Sequence, residues 1–168
     1  MLNFQELFDS YANDVYRFAY TLASDSDEAK DITSETFVRA WAKNSTIRTE
    51  TLKAYLLVIA RNIYLESRRR SKHRVALEDS IPDPAPGPDQ RAEQRIELGK
   101  VSAILQTLPE IDRTVFVMRV QQGLAYEEIA RALGLSLVSA KVKVHRVRMR
   151  LLNHRLESEE PSWKSQET

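Results

Sequence analysis

The sequence predicts an all-α protein built as two small helical domains joined by a Pro-rich linker, and three observations carry that expectation. Apolar residues recur at steps of three and four on both sides of the chain's middle, the spacing of amphipathic helices. Four of the six prolines crowd into Ile81-Pro82-Asp83-Pro84-Ala85-Pro86-Gly87-Pro88, where alternate prolines forbid a helix and favour extended backbone. No segment alternates in the manner of a half-buried strand, and no long-period repeat is visible. The 168 residues, 42% of them hydrophobic, suffice for one ordinary domain or two of about 70 residues each.

Taken in order, the elements justify themselves locally. Phe4, Leu7, Phe8, Tyr11, Val15, Phe18, Ala19 and Leu22 form the stripe of a first helix. Ser24-Asp25-Ser26-Asp27 offers N-caps for a second helix reaching about Trp41. The loop Lys43-Asn44-Ser45-Thr46-Ile47-Arg48-Thr49 leads to a third, from about Glu50 to Arg70, with Leu52, Leu56, Ile59 and Ile63 inward by spacing. Beyond the linker, helices are expected near Ala92–Gln106, Glu110–Gln121, Tyr126–Leu133 and Leu137–Leu156. Pro109 suits a first helical position and Gly134 a C′ stop. The boundaries are then a first domain over 1–75, an acidic linker over 76–92, a second domain over 93–156 and an acidic, disordered tail over 157–168.

Composition excludes several classes of function. With no cysteine there is no disulfide framework, thiolate metal site or cysteine nucleophile. His73, His145 and His154 lie far apart, so no metal site is expected. No apolar run approaches the ~20 residues of a membrane span, and the first residues lack the pattern of a signal peptide, so a cytoplasmic protein is the expectation. An enzyme would need a convergent constellation, and GxxxxGK[ST], GxSxG and HExxH are all missing. Neither a cofactor nor a small-molecule substrate is indicated.

Charge is informative only by segment. The formal net charge of +1 argues weakly against nucleic-acid binding. Residues 1–40 hold 3 basic and 8 acidic groups, and residues 41–75 hold 9 and 2. The pattern repeats with 3 and 8 over 76–112, then 9 and 2 over 113–155. Each domain therefore has an acidic first half and a basic second half, the arrangement of two polyanion contacts. Because acidic segments oppose the basic faces, the free chain is expected to bind duplex DNA poorly. The linker reads as a solvated spacer or as an acidic strap for a partner's basic channel.

Leu124 to Ser136 has the grammar of a helix-turn-helix. Ile129, Ala130 and Leu133 form the inner face of a short helix, Gly134 permits a left-handed turn, Leu135 plugs the angle, and Ser136 caps the next helix. That next helix carries a buried stripe of Ala140, Val144, Val147 and Leu151. A polar, basic line of Ser139, Lys143, Arg146 and Arg150 runs beside it, chemistry suited to guanine edges and phosphates in a major groove. In the first domain, Lys53, Arg61, Asn62, Tyr64 and Arg68 are expected to face outward, a mixture fit for strand-separated nucleic acid. On the second helix, Asp31, Glu35 and Val38 share a face away from Phe37, Ala40 and Trp41, suited to a basic partner helix or simply to the helix dipole.

These motifs resemble those of bacterial sigma factors of the extracytoplasmic-function type. Asp31-Ile32-Thr33-Ser34-Glu35-Thr36-Phe37, followed by Ala40-Trp41, resembles the family's polymerase-binding motif D-[LIV]-x-Q-E-x-F. Tyr55-Leu56-Leu57-Val58-Ile59-Ala60-Arg61-Asn62 looks like its −10-region helix. Leu108-Pro109, Arg113, Val115-Phe116, Arg119, Gly123, Tyr126-Glu127-Glu128-Ile129-Ala130 and Leu133-Gly134 look like its −35-reading domain. The likeness covers roughly residues 4–74 and 93–152.

The resemblance implies a non-catalytic, dissociable initiation subunit of RNA polymerase. Asp31, Ser34, Glu35 and Val38 would bind the clamp helices of core polymerase, and the second domain would meet its flap. Lys43, Asn44, Arg48, Lys53, Arg61, Asn62, Tyr64 and Arg68 would meet the −10 element and its non-template single strand, with a base extruded into the loop. Ser136, Ser139, Lys141, Val142, Lys143, His145, Arg146 and Arg150 would meet double-stranded DNA at −35. The acidic linker would run through the RNA path. An anti-sigma partner commonly covers both domains in this family, and in some cases would hold the chain at the membrane.

Three departures stand out: Ser34 where the family usually has Gln, Val138 for Gly, and Val142 for Ser. An apolar Val142 would be able to touch a thymine methyl instead of hydrogen-bonding. Two rival readings compete: a stand-alone regulator using only the second domain, and an interaction module for acidic proteins. The first leaves the basic third helix without a role.

Overall fold

The structure, a computed structural model, describes residues 3–43, 52–75 and 92–159. Among them all regular structure is helical, in seven helices with no strand, as the periodicity requires. The first three are α1 (Phe4–Ala23), α2 (Ser26–Ala42) and α3 (Leu52–Val75). They are followed by α4 (Ala92–Thr107), α5 (Glu110–Val120), α6 (Tyr126–Leu133) and α7 (Leu137–Glu159).

Local chemistry sets the boundaries. Asn3 closes a capping box on α1: its Oδ1 accepts from the Glu6 N–H at 2.8 Å while its own N–H donates to Glu6 Oε2 at 3.1 Å. Asp25 is the cap the second helix uses, its Oδ1 accepting from the Glu28 N–H at 2.8 Å. Ser24 takes the left-handed conformation at φ 54° and donates its N–H to the Tyr20 carbonyl, ending α1. Pro109 sits one place earlier than expected, as the N-cap of α5, where its missing N–H costs nothing. Helix α3 runs five residues past the expected Arg70, because its Lys and Arg residues are good helix formers and favour the C-terminal end of the dipole. Helix α7 absorbs the first residues of the expected tail, running to Glu159, and the rest of that tail lies outside the described residues.

Two three-helix interiors result. Val15, Phe18 and Leu22 of α1 meet Ile32 and Phe37 of α2 and Leu56, Leu57 and Ala60 of α3, all essentially without solvent contact. In the second lobe Val115 and Met118 of α5, Ile129 of α6, and Ala140, Val144 and Val147 of α7 form the counterpart, flanked by α4. Ile59, read as inward, is only partly buried and packs at the edge of the first interior.

The turn between α6 and α7 matches its expected construction. Gly134 adopts φ 67°, its N–H donates to the Ala130 carbonyl, and Ser136 Oγ accepts from the Ser139 N–H at 3.1 Å. A Cβ at Gly134 would meet nothing within 4 Å, so any cost of Gly134→Ala is backbone strain alone. The expected loss is about 1–2 kcal/mol, read as a lowered urea midpoint at unchanged slope. An unchanged midpoint would show that the left-handed turn is not required.

The two lobes are not separate in space. Their buried residues join into one connected apolar cluster, with α3 against α6 and α1 against α5. Gln106 Nε2 donates to the Leu22 carbonyl at 3.1 Å, Gln122 Nε2 to the Asp14 carbonyl at 3.1 Å, and Ser24 and Ser102 hydroxyls meet at 2.8 Å. Lobes of about 70 residues bury a smaller fraction of their surface than larger domains do, and docking hides more of it.

Candidate nucleic-acid and partner interfaces

Docking occupies the face of α3 that the sequence offered to single-stranded nucleic acid. Arg61 makes a bidentate ion pair across the lobes, Nε to Glu110 Oε1 at 2.7 Å and Nη2 to Oε2 at 2.8 Å. Burial pushes the Glu110 carboxyl up, yet hydrogen bonds from Arg61 and Thr114 outweigh it and hold the group below the usual carboxylate range. Lys53 Nζ pairs with Asp14 at 3.3 Å and donates to the Gln122 carbonyl at 3.1 Å. Arg68 Nη2 pairs with Glu28 at 2.8 Å, and its guanidinium lies 4.9 Å from the Tyr64 ring centre.

Tyr64 corrects the expectation most clearly. It is buried, not outward, and its hydroxyl accepts from Arg113 Nη2 at 3.1 Å. The helix places it on the inner side because it follows Ile63 around the same apolar arc. Asn62 alone of the named α3 residues is exposed as expected, and Lys43 is exposed at the end of α2. Asn44 and Arg48 lie outside the described residues, as do the rest of that loop and the linker through residue 91.

The named face of α2 is assembled as the sequence foretold. Asp31, Ser34, Glu35 and Val38 are exposed together and line a surface cavity of about 520 Å³ with Arg39, Ser67 and Arg70. Val38 is 60% exposed, a large apolar side chain beside acids and without a core to join. Arg39 anchors the rim, reaching Glu35 at 2.8 Å and Glu66 at 3.0 Å, and that pairing holds the Glu66 carboxyl below its usual range. The Thr33 and Thr36 hydroxyls are buried and donate back to the Ala29 and Ile32 carbonyls, which leaves the outer face to the charged residues.

On α7 the buried stripe is as expected: Ala140, Val144 and Val147 are buried and Leu151 is half-buried. The basic line is repositioned. Lys143 turns toward α5 and pairs with the buried Asp112 at 3.3 Å, and Ser139 is half-buried. Both sit on the flank of the helix, close to the core. Ser136, Lys141, Val142, His145, Arg146 and Arg150 are exposed, with Lys141 Nζ 6.0 Å from the Tyr126 ring centre. Arg119 lies 4.5 Å from the same ring and donates to the Leu124 carbonyl at 3.0 Å, fixing the approach to α6.

Asp14, Glu28, Glu110, Asp112, Arg113 and Gln122 went unread as partners in the sequence. Asp112, Arg113 and Thr114 are consecutive and all buried, an arrangement that amphipathic spacing on one helix does not reveal because two surfaces cover it. Between α3 and α6 an apolar cleft of about 220 Å³ remains, lined by Ala54, Tyr55, Val58, Glu128, Arg131 and Ala132. Among the described residues no helix is long and apolar enough to cross a membrane, and no cluster of His, Asp and Glu is arranged for a metal ion.

Comparison with known proteins decides the family. The model of sigma-70 region 2 matches residues 7–74, and that of sigma-70 region 4 matches residues 98–151. The chain is 31% identical over 160 residues to the ECF RNA polymerase sigma factor SigE of Mycolicibacterium smegmatis, covering 92% of this chain and 62% of that protein. It is 27% identical over 152 residues to the ECF RNA polymerase sigma factor SigM of Bacillus subtilis, covering 89% and 93%. The chain belongs to the extracytoplasmic-function sigma factors. Such factors are non-catalytic subunits of RNA polymerase.

Solved structures agree with this sigma factor's fold. The sigma factor RpoE, in its complex with the anti-sigma factor NepR from Bartonella quintana, is 27% identical and superposes with a TM-score of 0.74. That match covers 94% of this chain and 98% of RpoE. CnrH, in its complex with the cytosolic domain of CnrY, shares the fold at 22% identity and a TM-score of 0.69, covering 94% and 89%.

Proposed function

We propose that this sigma factor binds core RNA polymerase through the α2 face, reads −35 duplex with α7, and holds the −10 non-template strand with α3 and the loop after Lys43. The carrying observation is the α6–turn–α7 unit: Gly134 and Ser136 fix the angle and leave Lys141, Val142, His145, Arg146 and Arg150 exposed along a helix of groove-reading length. The α2 face supplies the partner contact, since acids beside an exposed valine suit a basic amphipathic helix. A second reading, a regulator working without polymerase, leaves that face unused.

The docked lobes set a condition on this activity. Elements centred about 25 base pairs apart are separated by roughly 85 Å of duplex at ~3.4 Å per pair. The 16 residues from 76 to 91, fully extended, span at most about 55 Å, so both elements are reached only if the lobes separate and the linker lies between them. Separation frees Arg61 and Lys53 for the melted strand and releases the Tyr64 hydroxyl from Arg113, and phosphate contacts then help offset the cost of extruding a base. An anti-sigma partner fits the same scheme, wedged in the apolar cleft between α3 and α6 and holding the factor off polymerase.

The test is run-off transcription with purified core polymerase on a promoter library. The expected result is transcripts from a restricted promoter set that need both the chain and the core enzyme. Sequence-specific DNA binding that is equally strong without core would favour the stand-alone regulator instead.

A further inference from the structure

The face of α7 farthest from the core is apolar. At 3.6 residues per turn, Val138, Val142 and Met149 lie half a turn from the buried Ala140, Val144 and Val147, with His145 on the same ridge. Val138 is 70% exposed, Val142 39% and Met149 41%. Cations flank this ridge on both sides, Lys141 and Arg148 along one edge and Arg146 and Arg150 along the other. The ordered alternatives are gone, because Lys143 is spent on Asp112 and Ser139 is half-buried.

Helix stability does not account for the valines. Two exposed β-branched residues at i and i+4 are poorer helix formers than Lys, Glu or Ala at those places. Nor does packing into the core, since both lie half a turn from the buried stripe. Their position at the start of the second helix of a helix-turn-helix puts them where base edges are met, while the flanking cations reach phosphates on either wall of the groove. On the floor of a major groove the apolar group presented is the thymine 5-methyl.

Resting on the reading of α7 as the −35 helix, we infer that Val138 and Val142 are specificity-determining residues that recognise the 5-methyl groups of thymine in the −35 element. Arg146 and Lys141 then position the ridge on the duplex, and discrimination at the valine positions comes from apolar contact rather than hydrogen bonding. A cytosine or a uracil at those positions leaves a methyl-sized gap against the valine. The free energy at stake per position is that of one buried methyl, modest alone and additive over two neighbouring bases.

The test uses holoenzyme assembled from the whole chain and core polymerase. A random duplex library is first enriched to define the −35 element. Each thymine in it is then replaced by deoxyuridine, which removes the methyl and keeps the pair. Affinity is expected to fall roughly 3–10-fold at one or two neighbouring positions. Val138→Ala or Val142→Ala, both at exposed sites where alanine favours the helix, is expected to erase that penalty at its own position. An element without thymine, deoxyuridine tolerated throughout, or a penalty unchanged in both variants would overturn the inference. Failure to enrich any −35 element would overturn the reading of α7 on which it rests.

Discussion

Reversing two charges on α2, Asp31→Arg with Glu35→Arg, is expected to weaken binding of core polymerase by at least about 100-fold, the equivalent of roughly 3 kcal/mol. Both carboxylates are exposed and share a cavity wall with Val38, so the change turns them from acidic to basic on the face proposed to meet a basic partner. Folding is expected to survive. The Glu35–Arg39 pair is an exposed i,i+4 contact, worth about 0.3–0.5 kcal/mol, and Arg39 keeps its partner Glu66. Helical circular dichroism and the thermal midpoint serve as the fold control, with core affinity read by fluorescence titration. Unchanged affinity in a folded variant would move the polymerase interface elsewhere on the chain.

The second large effect is expected at the clasp between the lobes. Glu110→Arg places a second guanidinium against Arg61, where each partner of the native pair is about four-fifths buried. Breaking a fully buried pair costs about 3–5 kcal/mol; with this partial exposure about 2 kcal/mol is expected, a roughly 30-fold shift toward separated lobes. Small-angle scattering of the free chain is then expected to show a larger radius of gyration. The swap Arg61→Glu with Glu110→Arg restores compactness while remaining impaired at the −10 strand, which separates docking from DNA contact. An unaltered radius in Glu110→Arg would show that the clasp does not hold the lobes together.

The acid dependence of that clasp has a definite sign. Because Arg61 and Thr114 hold the Glu110 carboxyl below its ordinary value, its contribution is fully present above the ordinary carboxylate value of about 4.3. The contribution is lost only as pH falls through the depressed value. Mild acidification to about pH 5 is therefore expected to leave the lobes docked, whereas Glu110→Gln loosens them at every pH.

What the sequence disclosed and what it withheld follow from the range of the interactions. Helix existence, the Gly134 stop, the Ser136 cap and the α2 face are encoded within three to seven residues of themselves, and spacing alone found them. The partners of the Arg61 guanidinium and of the Tyr64 hydroxyl are Glu110 and Arg113, 49 residues away in each case. No local pattern distinguishes a cation awaiting a nucleic acid from one already paired with a carboxylate in the other lobe. The alternating charge blocks were the nearest available hint, since acids of one segment now neutralise cations of another. On α7 the reverse occurred. The basic line drew the eye, while the apolar ridge half a turn from the core was equally legible and marks the outermost face.

The surfaces joined between the lobes in the free chain are expected to part when polymerase and promoter are engaged. The native sequence has no cysteine, so Asn13→Cys on α1 and Asn153→Cys on α7, both at exposed positions, accept a pair of spin labels without competing sites. The distance between them is to be measured in the free chain, with core polymerase, and with core polymerase on promoter DNA. A single short distance in the free chain that lengthens by tens of ångströms in the promoter complex is the expected result. A distance that stays the same in all three states would show that the lobes do not separate on the promoter.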